Sequence, residues 1–402
     1  MLDRYHRTQR VAGDALLITG ATGFLGQEIL LRYLERTERP IYALIRAGND
    51  LQASERMCSI LASLFSDPDP YLTRVIAIAA DVESADLGLG DARRRELASR
   101  VTEVIHSAAS VSFTLPLAES RRVNVEGTRR MLEFAELCQR RGDALRRFCH
   151  VSTAYVAGDH SGEFTEHQLE VGQGFRNAYE RSKFEAERLV RDSSGELPIL
   201  ILRPSIVVGE RYSGWTSSFN VLYPPLKAFA RGAYPVIPAR RSTPVDVVPV
   251  DYVADAAFEL VSRSDDDLGV YHLVSGRRAT TVGRLIEHSA RYFRRRPPRV
   301  VSPPIYRRLL HPILLRLSGE RQRRALRRTE VLFPYFSMRL RFDDRRARSR
   351  LERAGIRAPS LDSYFDRLLD FADHARWGRS LPQRHEARAS EPGSPTPAVT
   401  SR

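Results

Sequence analysis

Tyr179 and Lys183 stand four residues apart in AYERSKFEAERLV, a stretch of helix formers with no glycine or proline. On a helix that spacing puts both side chains on one face. The lysine is out of keeping with the chain: of its 63 basic residues only Lys183 and Lys227 are lysines, and all the others are arginines. An arginine serves a solvated helix face well. It does not serve where a compact charge with a tunable pKa must sit among hydroxyls, because guanidinium is planar and stays charged. Tyr223 and Lys227 repeat the spacing, but Pro224 and Pro225 lie between them and argue against a regular helix, so that pair reads as a coincidence. Upstream, HVSTAYVAG brings Ser152 and Thr153 to the end of an apolar run. A hydroxyl, a phenol and an ammonium brought together suit the reduction of a carbonyl. Thr153 would hydrogen-bond the oxygen that becomes negative, Tyr179 would give it a proton, and Lys183 would lower the tyrosine pKa.

Several elements must position those groups. From residue 15 to about 262, short apolar segments such as ALLITG, IYALIR, VIAIAAD, VTEVIHSAA, RFCHVST and PILILRPS alternate with helical patterns. Apolar strands alternating with helices predict a doubly wound, Rossmann-type parallel sheet in the α/β class, covered on both faces. The first turn, LLITGATGFLGQEIL, runs from a strand into a helix through Gly20, Thr22, Gly23, Phe24, Leu25 and Gly26. Glycines there permit a tight turn and close approach of a pyrophosphate to the helix N-terminus. A dinucleotide is therefore expected, with Lys183 also binding its nicotinamide ribose. Arg46 stands where an acid would hold a ribose 2′-hydroxyl and an arginine a 2′-phosphate, so NADPH is the expected cofactor. Asp81 and Val82 end the third strand, where an adenine contact is plausible. The small residues of HSAAS, Ala108 among them, let a ligand lie against backbone; His106 reads as packing.

The 402 residues are 42% hydrophobic and 28% charged, enough apolar content for a substantial core. The chain divides into a dinucleotide-binding domain over 14–274 with a substrate-loop insertion at 209–245, a mostly helical C-terminal substrate lobe over 275–378, and a Pro/Ser-rich disordered tail over 379–402. Asp251 reads as a helix N-cap. Cys58, Cys138 and Cys149 form no close pair and fit buried thiols of a reduced, cytoplasmic protein better than disulfides or a metal site, and no metal is expected. Basic residues precede ALLITGATGFLG, but Gly13 and Asp14 interrupt the apolar run and glycines punctuate it, so it does not read as a signal peptide. No stretch has the length of a membrane span. The formal net charge of +14 is concentrated in residues 291–328, which hold thirteen arginines and one acid, Glu320. Ile305, Leu309, Leu310, Ile313, Leu314, Leu315 and Leu317 alternate with arginines around Pro312, as in a kinked amphipathic helix. The block suits an anionic membrane surface, which would make the protein peripheral to a membrane, or an acidic protein. It equally suits leucines packed on the main domain. No nucleic acid is expected, because no binding motif accompanies the charge.

Through TGATGFLG, NVEGT, VSTAYV, YERSK and VPVDYVADA, covering about residues 14–275, the chain resembles the extended short-chain dehydrogenase/reductase superfamily. HSAASVSF and LRPSIVVGERYSGWTSSFN bring it nearest to fatty acyl-CoA reductases and thioester reductase domains. The resemblance implies Thr153, Tyr179 and Lys183 as the catalytic trio, and Pro204, Ile206 and Val207 beside the nicotinamide. It implies reduction of long-chain acyl thioesters to fatty aldehyde, and on to alcohol if a second hydride follows. The insertion and the C-terminal lobe would form an acyl tunnel. The chain is shorter than alcohol-forming acyl-CoA reductases and lacks the adenylation and carrier domains often fused to thioester reductases. Other readings stay open: a sterol-type dehydrogenase or nucleotide-sugar epimerase, or a membrane- or protein-binding module with a structural cofactor. An apolar tunnel speaks for the first reading and a uridine-sized polar pocket for an epimerase.

Overall fold

In the computed structural model, residues 14–141, 145–232, 236–263, 268–306, 308, 312, 319, 335 and 337–389 are described. Seven strands form the central sheet: β1 Ala15–Thr19, β2 Ile41–Ile45, β3 Val75–Ala79, β4 Val101–His106, β5 Arg147–Val151, β6 Ile199–Pro204 and β7 Gly269–Leu273. Their order is β7-β6-β5-β4-β1-β2-β3, and every neighbouring pair is parallel. The helices that matter for the site are α1 Phe24–Arg36, α2 Asp50–Leu64, α3 Gly127–Arg141, α4 Ala178–Asp192 and α5 Val250–Ser262.

The apolar runs are continuous because both faces of each strand are covered. Leu16 and Ile18 of β1 pack with Ile29 and Tyr33 of α1, Leu61 of α2 and Ala257 of α5. Ala15 and Leu17 point the other way, to Met131 and Phe134 of α3 and Val190 of α4. The strand order reverses at β1, between β2 and β4. Ligands of such sheets bind in the crevice at the carboxyl ends there.

The C-terminal third pairs with strands from earlier in the chain. Leu340–Phe342 pairs in parallel with Gly162–Phe164, and Arg299–Val301 with Val236–Pro238. Ala347 and Leu351 then join the same buried cluster as β1. Within the tail expected to be disordered from 379, the described residues reach 389 and include a helix, Arg384–Ala389. Its polar composition concealed the reason: the Arg384 guanidinium is buried against Glu28 of α1, with Nη2 3.0 Å from Oε2. Tyr223–Ala230 is a helix despite Pro224 and Pro225, because both fall in the first turn, where no backbone N–H is needed. Tyr223 and Lys227 still do not act as a pair, since the buried Tyr223 hydroxyl accepts from Gly209 N at 3.0 Å. Asp251 lies in the first turn of α5 rather than at its cap and binds Arg211. Of the arginine-rich block, 307, 309–311, 313–318 and 320–328 lie outside the described residues, so the amphipathic helix expected there is not among the elements described.

Candidate active site

The turn between β1 and α1 is built around two glycines. Gly20 has φ +76°, and a Cβ on it would stand 2.7 Å from Ala108 N. A Cβ on Gly26 would stand 2.0 Å from Gly20 O. The loop is thus pressed against its own helix and against the strand end of β4, where Ala108 N donates to Thr19 Oγ1 at 3.2 Å. Gly23 caps α1 without any side-chain bond, leaving first-turn N–H groups for an anion. Thr22 lies in the turn and Leu25 in the first turn of the helix, while Phe24 lies 6.1 Å from Trp215, ring to ring. The cradle fits a pyrophosphate.

Arg46 follows β2, next to the switch point, and its side chain is 75% exposed. Glu83 lies 3.7 Å from it and also binds Arg122. Asp81 and Val82 follow β3. The Asp81 carboxylate accepts from Glu83 N at 2.9 Å, closing its own turn, and Val82 packs where a Cβ on Gly127 would come within 3.1 Å of it. Pro204 ends β6, and its carbonyl lies 3.4 Å from Thr153 Oγ1. Ile206 and Val207 continue into a short strand paired with Val247–Pro249.

Thr153 is the cap of a short turn, Ala154–Ala157, immediately after β5, and its Oγ1 accepts from Tyr155 N at 3.2 Å. Asn177 caps α4, its side chain accepting from Glu180 N, and the helix directs Tyr179 and Lys183 to the same strand end. Burial pushes the half-buried Tyr179 phenol up to about 12, opposed by a hydrogen bond with Thr153. Burial lowers Lys183 to about 8, opposed by Glu187. The expected depression of the tyrosine is not what the structure gives. The Lys183 amine is engaged by Val151 O at 2.8 Å and by His150 Nε2 at 3.3 Å, so burial dominates at the phenol.

Glu187, one turn beyond Lys183, is fully buried. Burial works against its charge, but Arg203 of β6, Arg191 and Ser152 hold it below the usual carboxylate range. The Arg203 Nη2 contact is 2.7 Å and that of Ser152 Oγ is 2.6 Å. His106 is a packing residue, as expected, bonded to Thr19 at 2.8 Å and to Thr128 at 3.1 Å.

Two participants escaped the sequence reading. Asn124 sits in a π-helical turn, Arg122–Glu126, a feature frequent at functional sites. Its side chain binds Ser110 N at 2.8 Å and Ser182 Oγ at 2.9 Å, tying the loop after β4 to α4. The NVEGT motif was the available signal. Tyr335 stacks on Phe113 at 5.8 Å, and Phe113 lies 5.6 Å from the Tyr179 ring. Nothing local marks Tyr335. Beside this cluster is an apolar cavity lined by Tyr155 and Ile206, by Leu222 and Pro225 of the insertion, and by Leu285 and Phe342 of the chain beyond 275.

A dinucleotide cradle beside a proton donor for a carbonyl oxygen is what a nicotinamide-dependent oxidoreductase requires. Residues 18–257 match the family described as Male sterility protein, and the chain belongs to it, within the extended short-chain dehydrogenase/reductase superfamily. Fatty acyl-CoA reductase 1 of Arabidopsis thaliana is 25% identical over an alignment of 359 positions that covers 72% of this chain and 72% of that one. Fatty acyl-CoA reductase 2 of Homo sapiens is 31% identical over an alignment of 308 positions that covers 66% of this chain and 58% of that one. The terminal R domain from the myxalamid PKS-NRPS biosynthetic pathway superposes with a TM-score of 0.78 at 26% identity, over 93% of this chain and 94% of that one.

Proposed function

We propose that the protein reduces long-chain acyl thioesters, carried on CoA or on an acyl carrier protein, to fatty aldehyde with NADPH. The observation that carries the reading is the meeting of Thr153, Tyr179 and Lys183 at the carboxyl edge of the sheet, next to an apolar cavity. Residues on both sides of the insertion line that cavity, as an acyl channel requires. The thioester carbonyl would lie between the Thr153 hydroxyl and the Tyr179 phenol. The bound reduced nicotinamide supplies the hydride to the carbonyl carbon. Thr153 hydrogen-bonds the oxygen as it becomes negative, and Tyr179 protonates it, giving a hemithioacetal. Lys183 would bind the nicotinamide ribose. When the hemithioacetal collapses, the C–S bond breaks, the hydroxyl proton returns to the Tyr179 phenolate, and the departing thiolate takes up a proton from solvent. Repetition on the aldehyde gives the alcohol. Arg46 would pair with the 2′-phosphate; Glu83 beside it favours a second reading, in which a carboxylate holds the 2′-hydroxyl of NADH. The arginine-rich block is proposed to face an acidic carrier protein or an anionic membrane.

Anaerobic consumption of NADPH and of NADH, followed against acyl-CoAs, carrier-bound acyl groups, sterols and nucleotide sugars with product identification, tests the reading. Turnover of thioesters is expected. Turnover of a sterol or a nucleotide sugar, with the thioesters inert, would overturn it.

A further inference from the structure

His150 lies on the face of β5 covered by α4, and its ring is fully buried. His106 of β4 is its register neighbour, with ring centroids 5.6 Å apart. Their surroundings treat the two imidazoles differently. His106 is bonded at both nitrogens. His150 meets Lys183 Nζ at 3.3 Å through Nε2, while its Nδ1 has no hydrogen-bond partner among the described residues. An unpartnered buried nitrogen is destabilising, and a phenylalanine would fill similar space without one. Packing therefore does not account for an imidazole at this position. The contact to Lys183 does.

A neutral imidazole accepts at one nitrogen only, so Nε2 takes the hydrogen bond and Nδ1 carries the proton. The amine donates to that nitrogen and to Val151 O at 2.8 Å, and both acceptors belong to the end of β5. The titratable groups around the amine are His150 and His106 from the sheet, and Tyr179 and Glu187 from its own helix. Only Glu187 is an anion, and the cation of Arg203 on β6 already meets its charge. Glu187 supports the charge of the amine, and His150 is the side chain that holds it by a hydrogen bond.

We propose that His150 is a positioning residue for Lys183: its Nε2 fixes the amine at the end of β5 and sustains its cationic form. The proposal rests on the reading of Lys183 as the cation of the site. Because burial brings Lys183 down to about 8, support of its charge sets how much of the enzyme is active at mildly alkaline pH.

The chain holds only two lysines, so Lys227→Arg leaves Lys183 as the single lysine. In that full-length background, lysine labelled with carbon-13 at the ε position reports the Lys183 titration directly by NMR. His150→Phe is expected to lower its midpoint by about one pH unit, the order of a hydrogen bond to a charged group. The basic limb of kcat/KM for acyl-CoA reduction should move the same way. His150→Gln, which returns an acceptor oxygen, should reverse both shifts, whereas a purely structural role would move neither. If His150→Phe does not fold, His150→Leu removes the acceptor with a smaller apolar side chain and is expected to show the same lowering. An unchanged midpoint in the acceptor-less variant overturns the proposal. Full activity of Lys183→Arg would instead overturn the reading of the site, whatever the titration shows.

Discussion

Alanine in place of Gly26 adds one methyl group where the backbone leaves no room. Its carbon would stand 2.0 Å from Gly20 O, 2.6 Å from Gly20 C and 3.1 Å from Ala21 Cα. All three neighbours are backbone, so no side chain can turn aside. Reaching ordinary contact near 3.4 Å requires the turn and the helix to part by roughly 1.4 Å. Helix propensity alone would make this change stabilising by about 0.5–1 kcal/mol, so the steric prediction has the opposite sign. A parting of that size costs at least one backbone hydrogen bond to a charged pyrophosphate, worth about 1.5–3 kcal/mol. The NADPH dissociation constant should therefore rise by about 100-fold, equivalent to about 2.8 kcal/mol. Calorimetric titration measures it, with circular dichroism to confirm the fold. Gly90→Ala, which would meet nothing within 4 Å, should bind normally. Binding by Gly26→Ala within about threefold of the unmodified protein would refute the cradle.

Tyr179→Phe should lose about 10²–10⁴-fold in kcat, the range for a positioned general acid. Lys183→Arg should be similarly impaired although charge is kept, because a bulkier planar fork must replace an amine that is 2% exposed, while Lys227→Arg is tolerated; steady-state kinetics read all three. Arg46→Ala should raise KM for NADPH by about tenfold and leave KM for NADH unchanged, since only NADPH carries the 2′-phosphate; equal effects would remove Arg46 from the site. Burial lifts the Asp246 carboxyl to about 6 against hydrogen bonds from Ser205, Ser275 N and Gly276 N. The folded pKa lies above the unfolded one, so this contribution to stability is complete below about pH 4 and is lost as pH rises through 6. Urea unfolding should find the balance shifting towards Asp246→Asn by roughly 3 kcal/mol between pH 4 and 7; a shift in the other direction would contradict the assignment.

The parts of the fold legible in the sequence are those whose signals are local. The β1–α1 turn announces itself by Gly20, Gly23 and Gly26, and the shared face of Tyr179 and Lys183 by their spacing. What the sequence concealed depends on partners far away. Arg384 looks like a tail residue until it reaches Glu28, 356 positions earlier. His150 reads as one more strand residue, because the amine it accepts from lies on a later helix. Asn124 acts only once a loop and a helix converge on it. The prolines before Lys227 misled for another reason: their effect depends on where in the helix they fall.

The most direct test of the central claim is transfer of isotope. NADPH deuterated at its transferable position, mixed anaerobically with a long-chain acyl-CoA, should yield free thiol and a fatty aldehyde with deuterium on its carbonyl carbon. Tyr179→Phe should suppress both products together. Thiol released without deuterium in the acyl product would mean hydrolysis rather than reduction, and would contradict the role assigned to Thr153, Tyr179 and Lys183.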